Sequence, residues 1–190
     1  MRVLLSILLC ICIAPFAVAQ IFVNPSFEGE PQDAVLPVGW HICSPNTTPD
    51  IFPGVWGVYK EPADGDTFLG LITRPDGSYE SIGQRFPIEV KKGRCYQLQF
   101  FLSHSNEYAG FSDPILCRIW IGKTKTDRAQ KIFESELIDY EDWKQIEVQF
   151  TSQKDYPYFI IEAAFPEENL QAKGNILIDQ ISAILPCGQA

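Results

Sequence analysis

The residues of this 190-residue chain that could do chemistry are few, and their spacing excludes more than it offers. No G-x-S-x-G and no H-E-x-x-H occurs, so the turn that exposes a serine nucleophile and the helical zinc pair are both missing. His41 and His104 are the only histidines, too few and too far apart for zinc, and both read as structural or surface residues. Glu80 and Glu162 each fall on a β-rich run and could flank a glycosidic bond as acid and base, although acids on the solvent face of a strand are ordinary. Aromatic planes are better supplied. Trp56, Tyr59, Arg74, Tyr79 and Trp120 could stack on or flank a sugar ring, with Asp50 and Gln84 as polar partners for its hydroxyls. Trp56 is the leading platform, and a second reading, in which it folds inward as a lid over one end of a sandwich, stays open. Trp40 and Trp143 flank strands and read as packing, while Ile119 and Ile121 compete with Trp120 for the inward face and leave its direction open. Glu28 and Glu30 follow an apolar stretch in "IFVNPSFEGE" and pose a separate question, since two carboxylates there have no evident partner.

The chain that must position these residues begins with Arg2, an apolar run from Val3 to Ala14, and Ala17-Val18-Ala19, the pattern of a secretory signal cleaved before Gln20. The run is too short for a spanning helix and is broken by Pro15. Leu9 before Cys10 argues against lipidation, and Cys10 and Cys12 are expected to leave with the signal. The sequon at Asn46-Thr47-Thr48 matters only in a eukaryotic source. Without residues 1–19 the chain has 14 Lys and Arg against 24 Asp and Glu, and 14 − 24 gives a net charge of −10. That charge opposes binding to a phosphate backbone. Four cysteines then remain, Cys43, Cys95, Cys117 and Cys187, an even number in an exported chain, which suits two disulfides with three pairings open.

The hydrophobic period is two. Leu98, Phe100 and Leu102 alternate with Gln97, Gln99 and Phe101 over Cys95–Ser103, and Ile146, Val148 and Phe150 do the same over Lys144–Phe150. Further β-rich runs are Thr67–Ile72, Glu80–Phe86, Leu116–Ile121, Tyr158–Ala164 and Asn175–Leu185, separated by turn signals such as Asp64-Gly65-Asp66 and Pro75-Asp76-Gly77. The pattern predicts one antiparallel all-β domain over residues 20–190, a sandwich or barrel, with at most a helical turn near Ile138–Trp143. The stretch from His41 to Asp66 lacks alternation and is rich in Pro and aromatics, as functional loops are. Within it, Pro49 and Pro53 stiffen "PDIFPGVWGVY" and Gly54 and Gly57 let the backbone turn around Trp56.

The segments "NPSFEG", "GW" at Gly39-Trp40, "PDIFPGVWGV", "DGDTFLGLI", "CYQLQFFLS" and "ILIDQISAI" resemble the galactose-binding-like jelly-roll domains that include many carbohydrate-binding modules, of the type secreted by Bacteroidetes. The resemblance spans nearly all of the chain after the signal. It implies a jelly-roll β-sandwich whose first strand, at "NPSFEG", and last strand lie together. It further implies a structural Ca2+ held by Glu28 and Asp179, with Glu30 as a second carboxylate; oxygen ligands gathered from separate segments are what calcium takes. From the resemblance also follow a Cys95–Cys187 disulfide and, by default, a Cys43–Cys117 one. The implied activity is noncatalytic binding of a glycan or polysaccharide, outside the cell, at its surface or in the periplasm, through the loop 49–59 with Arg74 and Tyr79. The alternatives are a structural or adhesive surface protein docking a protein partner, and a small glycan-active hydrolase using Glu80 and Glu162.

Overall fold

A computed structural model describes residues 22–188, so the expected signal and its cleavage site lie outside the described residues. Among the described residues there are eleven strands, in the order β1 (His41–Ile42), β2 (Asp50–Phe52), β3 (Phe68–Ile72), β4 (Ser81–Val90), β5 (Cys95–Ser103), β6 (Leu116–Gly122), β7 (Gln130–Glu134), β8 (Lys144–Thr151), β9 (Tyr156–Ala164), β10 (Asn175–Asp179) and β11 (Leu185–Pro186). They form two antiparallel sheets, and the fold is an all-β jelly-roll sandwich. One sheet runs β1-β4-β9-β6-β7; the other runs β11-β5-β10-β3-β2, with β8 along the opposite edge of β5. Among the described residues there is no helix, and none long and apolar enough to cross a membrane.

Alternation sets the two faces. Leu69 and Leu71, Leu98, Phe100 and Leu102, Ile119 and Ile121, and Ile176 and Ile178 point between the sheets into the main core. The opposite positions on β2, β3 and β10 carry a second, smaller core on the outer face of the six-stranded sheet, made of Phe52, Phe68, Ile72 and Leu177 and covered by Val58 and Tyr108. Tyr108 can lie there because Gly70 has no side chain; a Cβ at that position would stand 2.4 Å from the Phe52 ring and 3.0 Å from the Tyr108 hydroxyl. This second core is the floor of the aromatic loop.

Three expectations about the elements need correction. "NPSFEG" is a turn, because Asn24 and Phe27 adopt left-handed φ values of 50° and 54° and the Asn24 side chain accepts the Glu28 N–H at 2.7 Å and donates to the Glu28 carbonyl at 2.9 Å. The segment nonetheless lies against the end of the last long strand, the Ile181 N–H donating to the Pro25 carbonyl at 3.0 Å. No helical turn forms near Ile138; that residue is buried and bridges to Ile115. The Asn175–Leu185 run is interrupted after Asp179, where Gln180 takes φ 48°.

The Cys95–Cys187 disulfide is present, with Cα atoms 5.4 Å apart. Cys43 and Cys117 do not pair, and both are free and buried. Cys117 faces the main core from β6, while Cys43 directs its thiol to the Lys125 carbonyl at 3.1 Å on the outer side of the same sheet. Three inter-strand steps at about 4.8 Å separate β1 from β6, roughly 14 Å, twice the reach of a disulfide. Burial raises both thiols, Cys43 to about 12 and Cys117 further, so neither forms a thiolate at neutral pH.

Candidate functional site

The aromatic loop follows β2, after a cis Phe52–Pro53 peptide. The Gly54 N–H donates to the Val58 carbonyl at 2.7 Å and the Val58 N–H to the Val55 carbonyl at 3.0 Å, closing a tight turn with Trp56 at its tip. Trp56 itself sits at φ 50° between Gly54 and Gly57 at φ 107° and 86°. A second loop, 104–111, braces the first: the Ala109 N–H donates to the Trp56 carbonyl at 3.1 Å, and Gly57 lets the Glu107 carbonyl approach within 3.2 Å of where a Cβ would be. Val58 is buried in the second core, so the turn is anchored while Trp56 and Tyr59 remain 48% and 74% exposed. The Trp56 Nε1–H donates to Asp33 Oδ1 at 3.1 Å, which restricts the indole without covering its face. Trp56 is therefore not a lid folded into the sandwich.

Beside Tyr59 lies a cleft of about 320 Å³ lined by Tyr59, Lys60, His104, Glu107, Glu141 and Asp142 among others. Asn175, fully buried on β10, shapes it: its side chain accepts the Ser105 N–H at 3.0 Å and donates to the Ser105 and Phe111 carbonyls at 2.7 and 2.6 Å. Burial lowers the Lys60 pKa, and its ammonium reaches the Glu141 carbonyl and lies 5.1 Å from the Trp143 ring centre. Trp143 packs against the second core and donates Nε1–H to the Glu61 carbonyl at 2.9 Å. His104 and Asn175 were not read as site residues, because only pairing of the two distant segments brings them here.

The remaining sequence candidates occupy other places. Asp50 is buried; it accepts the Ala34 N–H at 2.7 Å and the Tyr108 hydroxyl, and burial pushes its pKa up to about 7. It holds up the floor of the loop and is not open to a ligand hydroxyl. Gln84 is buried and spends its amide on both backbone groups of Val23, at 2.6 and 2.9 Å. Arg74 points to Glu80 at 2.5 Å and to Thr48 Oγ1 at 3.0 Å, away from Trp56. Tyr79 lies 5.7 Å from the Arg128 guanidinium. Trp120 faces outward from β6, since Ile119 and Ile121 take the core; its ring lies 5.9 Å from the Lys131 ammonium and its buried Nε1 has no partner.

Glu80 and Glu162 do not confront each other across a groove. Glu162 pairs in register with Ser81 and so shares its face, while Glu80, one residue earlier, points to the other side. Each is bound to its own arginine, Glu80 to Arg74 and Glu162 to Arg128. Glu80 is fully buried and also accepts the Thr48 and Ile72 N–H groups at 3.0 and 3.2 Å; burial raises its pKa above the usual range.

Glu28 and Asp179 meet the same loop, 63–67. Asp179 Oδ2 accepts the Ala63 and Asp64 N–H groups at 2.8 and 2.9 Å, and Glu28 Oε1 accepts the Asp66 N–H at 3.1 Å. Burial raises Asp179 to about 6, and nearby Asp64 adds to the shift. Glu30 is exposed. Among the described residues no three His, Cys, Asp or Glu side chains are grouped to hold a metal ion.

No family model matches the chain, and no curated protein does. Solved structures do. A Stig cyclase from Fischerella sp. TAU, in complex with a pyrrolidinylidene-indole, superposes with a TM-score of 0.61 at 15% identity, over 90% of this chain and 98% of that one. The CBM22-1 xylan-binding domain from Paenibacillus barcinonensis gives 0.57 at 13% identity, over 92% and 97%. The K2 cleaved adhesin domain of Lys-gingipain gives 0.56 at 10% identity, over 90% and 98%. At such identities these likenesses establish the fold, which serves a cyclase, a xylan-binding domain and an adhesin domain alike.

Proposed function

We propose that this protein is a noncatalytic carbohydrate-binding domain, resembling the modules it shares a fold with, and that Trp56 and Tyr59 are its stacking residues. The observation that carries the reading is the contrast within one loop: a pinned backbone and a buried Val58 hold two aromatic rings exposed. Holding them there beforehand lowers the entropic cost of binding, and an exposed ring offers an apolar plane to a sugar. The Cys95–Cys187 bridge supports action in an oxidising compartment, at the cell surface or beyond it. The test is a glycan array with the wild type and Trp56→Ala. A saturable signal lost in the variant supports the reading. No sugar signal, together with capture of a surface protein by the same loop, would move the site to protein docking, the role suggested by the adhesin likeness.

Calcium belongs to the same proposal. Glu28 and Asp179 are hard oxygen donors from two separate segments that meet the same loop, 63–67, and calcium takes oxygen ligands gathered in that way. Bound there, the ion would offset the carboxylate charge and join the N-terminal turn to β10. Chelation should then lower the melting temperature of the wild type and leave that of Asp179→Ala unmoved; equal melting with and without chelator counts against calcium.

A further inference from the structure

The cleft beside Tyr59 is acidic, and one residue of its wall carries a buried acceptor without a partner. Glu107, Glu141 and Asp142 line it against one ammonium, that of Lys60, which is already turned toward the Glu141 carbonyl and the Trp143 ring. His104, in the wall, is only 1% exposed. Its Nδ1 lies 3.1 Å from the Asn175 carbonyl, which can only accept, so Nδ1 carries the proton and donates. In the neutral ring Nε2 then carries the lone pair, and Nε2 is buried without a partner. A buried acceptor without a donor is destabilising, and natural folds tolerate few of them. Three carboxylates form an acceptor-rich, net negative wall, with the unpartnered imidazole nitrogen buried behind it, so a complementary ligand brings donors and positive charge. At about 320 Å³ the space is at the small end for a ligand pocket, the scale of a single ring, and Tyr59 provides an aromatic edge beside it.

We propose that this cleft binds the amine-bearing ring of a hexosamine glycan, the ammonium among Glu107, Glu141 and Asp142 and a ring donor on the side of His104. The proposal rests on the glycan reading above and deepens it by naming the sugar class. An ammonium supplies three donors and one charge, which matches the lining better than a neutral hydroxyl and far better than a uronate. The overall negative charge of the chain acts in the same direction at longer range.

The experiment is calorimetric titration of the wild type with four tetrasaccharides, deacetylated chitosan, its N-acetylated form, cellotetraose and tetragalacturonate, and with tetralysine as an amine without a ring. The chitosan oligomer should bind at least tenfold tighter than the other four. Glu141→Gln with Asp142→Asn should remove that preference, while Glu167→Gln with Glu168→Gln, an equal loss of charge on an exposed turn elsewhere, should not. These four acids are exposed, so both variants should fold. Equal loss in the two variants would reduce the effect to bulk charge and overturn the site. Tetralysine binding as tightly as chitosan would overturn the sugar class. Binding of cellotetraose as tight as that of chitosan, abolished by Trp56→Ala, would overturn amine selection yet leave the Trp56 reading standing; silence from every sugar would overturn both.

Discussion

Arg74 and Trp56 were expected to share a site, and the fold treats them in opposite ways. Around Arg74 the charged groups are satisfied by the chain itself: Glu80 takes the guanidinium and the N–H groups of Thr48 and Ile72, and Ser44 Oγ, Thr47 Oγ1 and Ser81 Oγ link to one another nearby. Around Trp56 the backbone is equally well bonded, but the side chains are not used up. Two rings face solvent, and the neighbouring cleft keeps a carboxylate excess and a bare imidazole nitrogen. Charge and hydrogen-bonding capacity are common to both regions. The difference is that one is satisfied internally and the other is open, and only the open one has interaction energy left to offer a ligand.

The largest test of this contrast is Glu80→Ala. Removing the carboxylate leaves a partly buried guanidinium and two N–H groups without their acceptor, and the loss of one partner of a buried pair costs about 3–5 kcal/mol. Denaturant unfolding should show that loss, and glycan affinity measured where the variant is still folded should be unchanged. A well-folded variant with weakened sugar binding would instead return Arg74 and Glu80 to the site.

Next in size is the support beneath the loop. Tyr108→Phe removes the hydroxyl that Asp50 accepts and leaves a buried carboxylate oxygen unpaired, a cost of about 1–3 kcal/mol by denaturant unfolding. The same pair predicts a pH dependence. Burial raises the folded-state pKa of Asp50 to about 7, above the usual carboxylate range. Between about pH 4 and 7 the folded chain holds a proton that the unfolded chain has released. Its contribution to stability is therefore full below about pH 4 and is lost as pH rises through 7. Asp50→Asn, which still accepts the Ala34 N–H, should flatten that decline; an unchanged profile would show that Asp50 titrates normally.

What was legible in the sequence follows from where the determining contacts lie. The alternation in β5, β8 and β6 is local, and their limits are readable to within a residue. β2 was not legible because it is buried on both faces, between the main core and Tyr108, and so shows no alternation. β7 is five residues with a poor pattern on a sheet edge. The flanking glycines announced a turn at Trp56 but not its exposure, which is set by the anchoring of Val58 beneath it. The fates of Asp50, Gln84 and Arg74 were not legible: each is decided by a partner distant in the chain or on another element, Tyr108, Val23 and Glu80, that no local pattern announces. His104 was set aside for the same reason, since its role depends on the Asn175 carbonyl of β10.

The smallest expected change in stability belongs to Trp56→Ala, and it separates the two regions most sharply. Emptying a buried tryptophan site costs about 3–5 kcal/mol, but Trp56 is 48% exposed, so little packing is lost. Its one side-chain bond, to Asp33, is to an exposed acceptor that water can replace, worth at most about 1 kcal/mol. The backbone conformation is already left-handed, and Ala meets the same restriction there as Trp, so the turn gains no new strain. The melting temperature should therefore move by no more than a few degrees. Glycan affinity should fall at least tenfold, about 1.4 kcal/mol, because the removed plane is the one a sugar would cover. A shift in melting as large as that of Glu80→Ala would mean that Trp56 is structural after all. Unchanged affinity in a stable variant would leave Tyr59 and the acidic cleft as the binding surface and remove Trp56 from it.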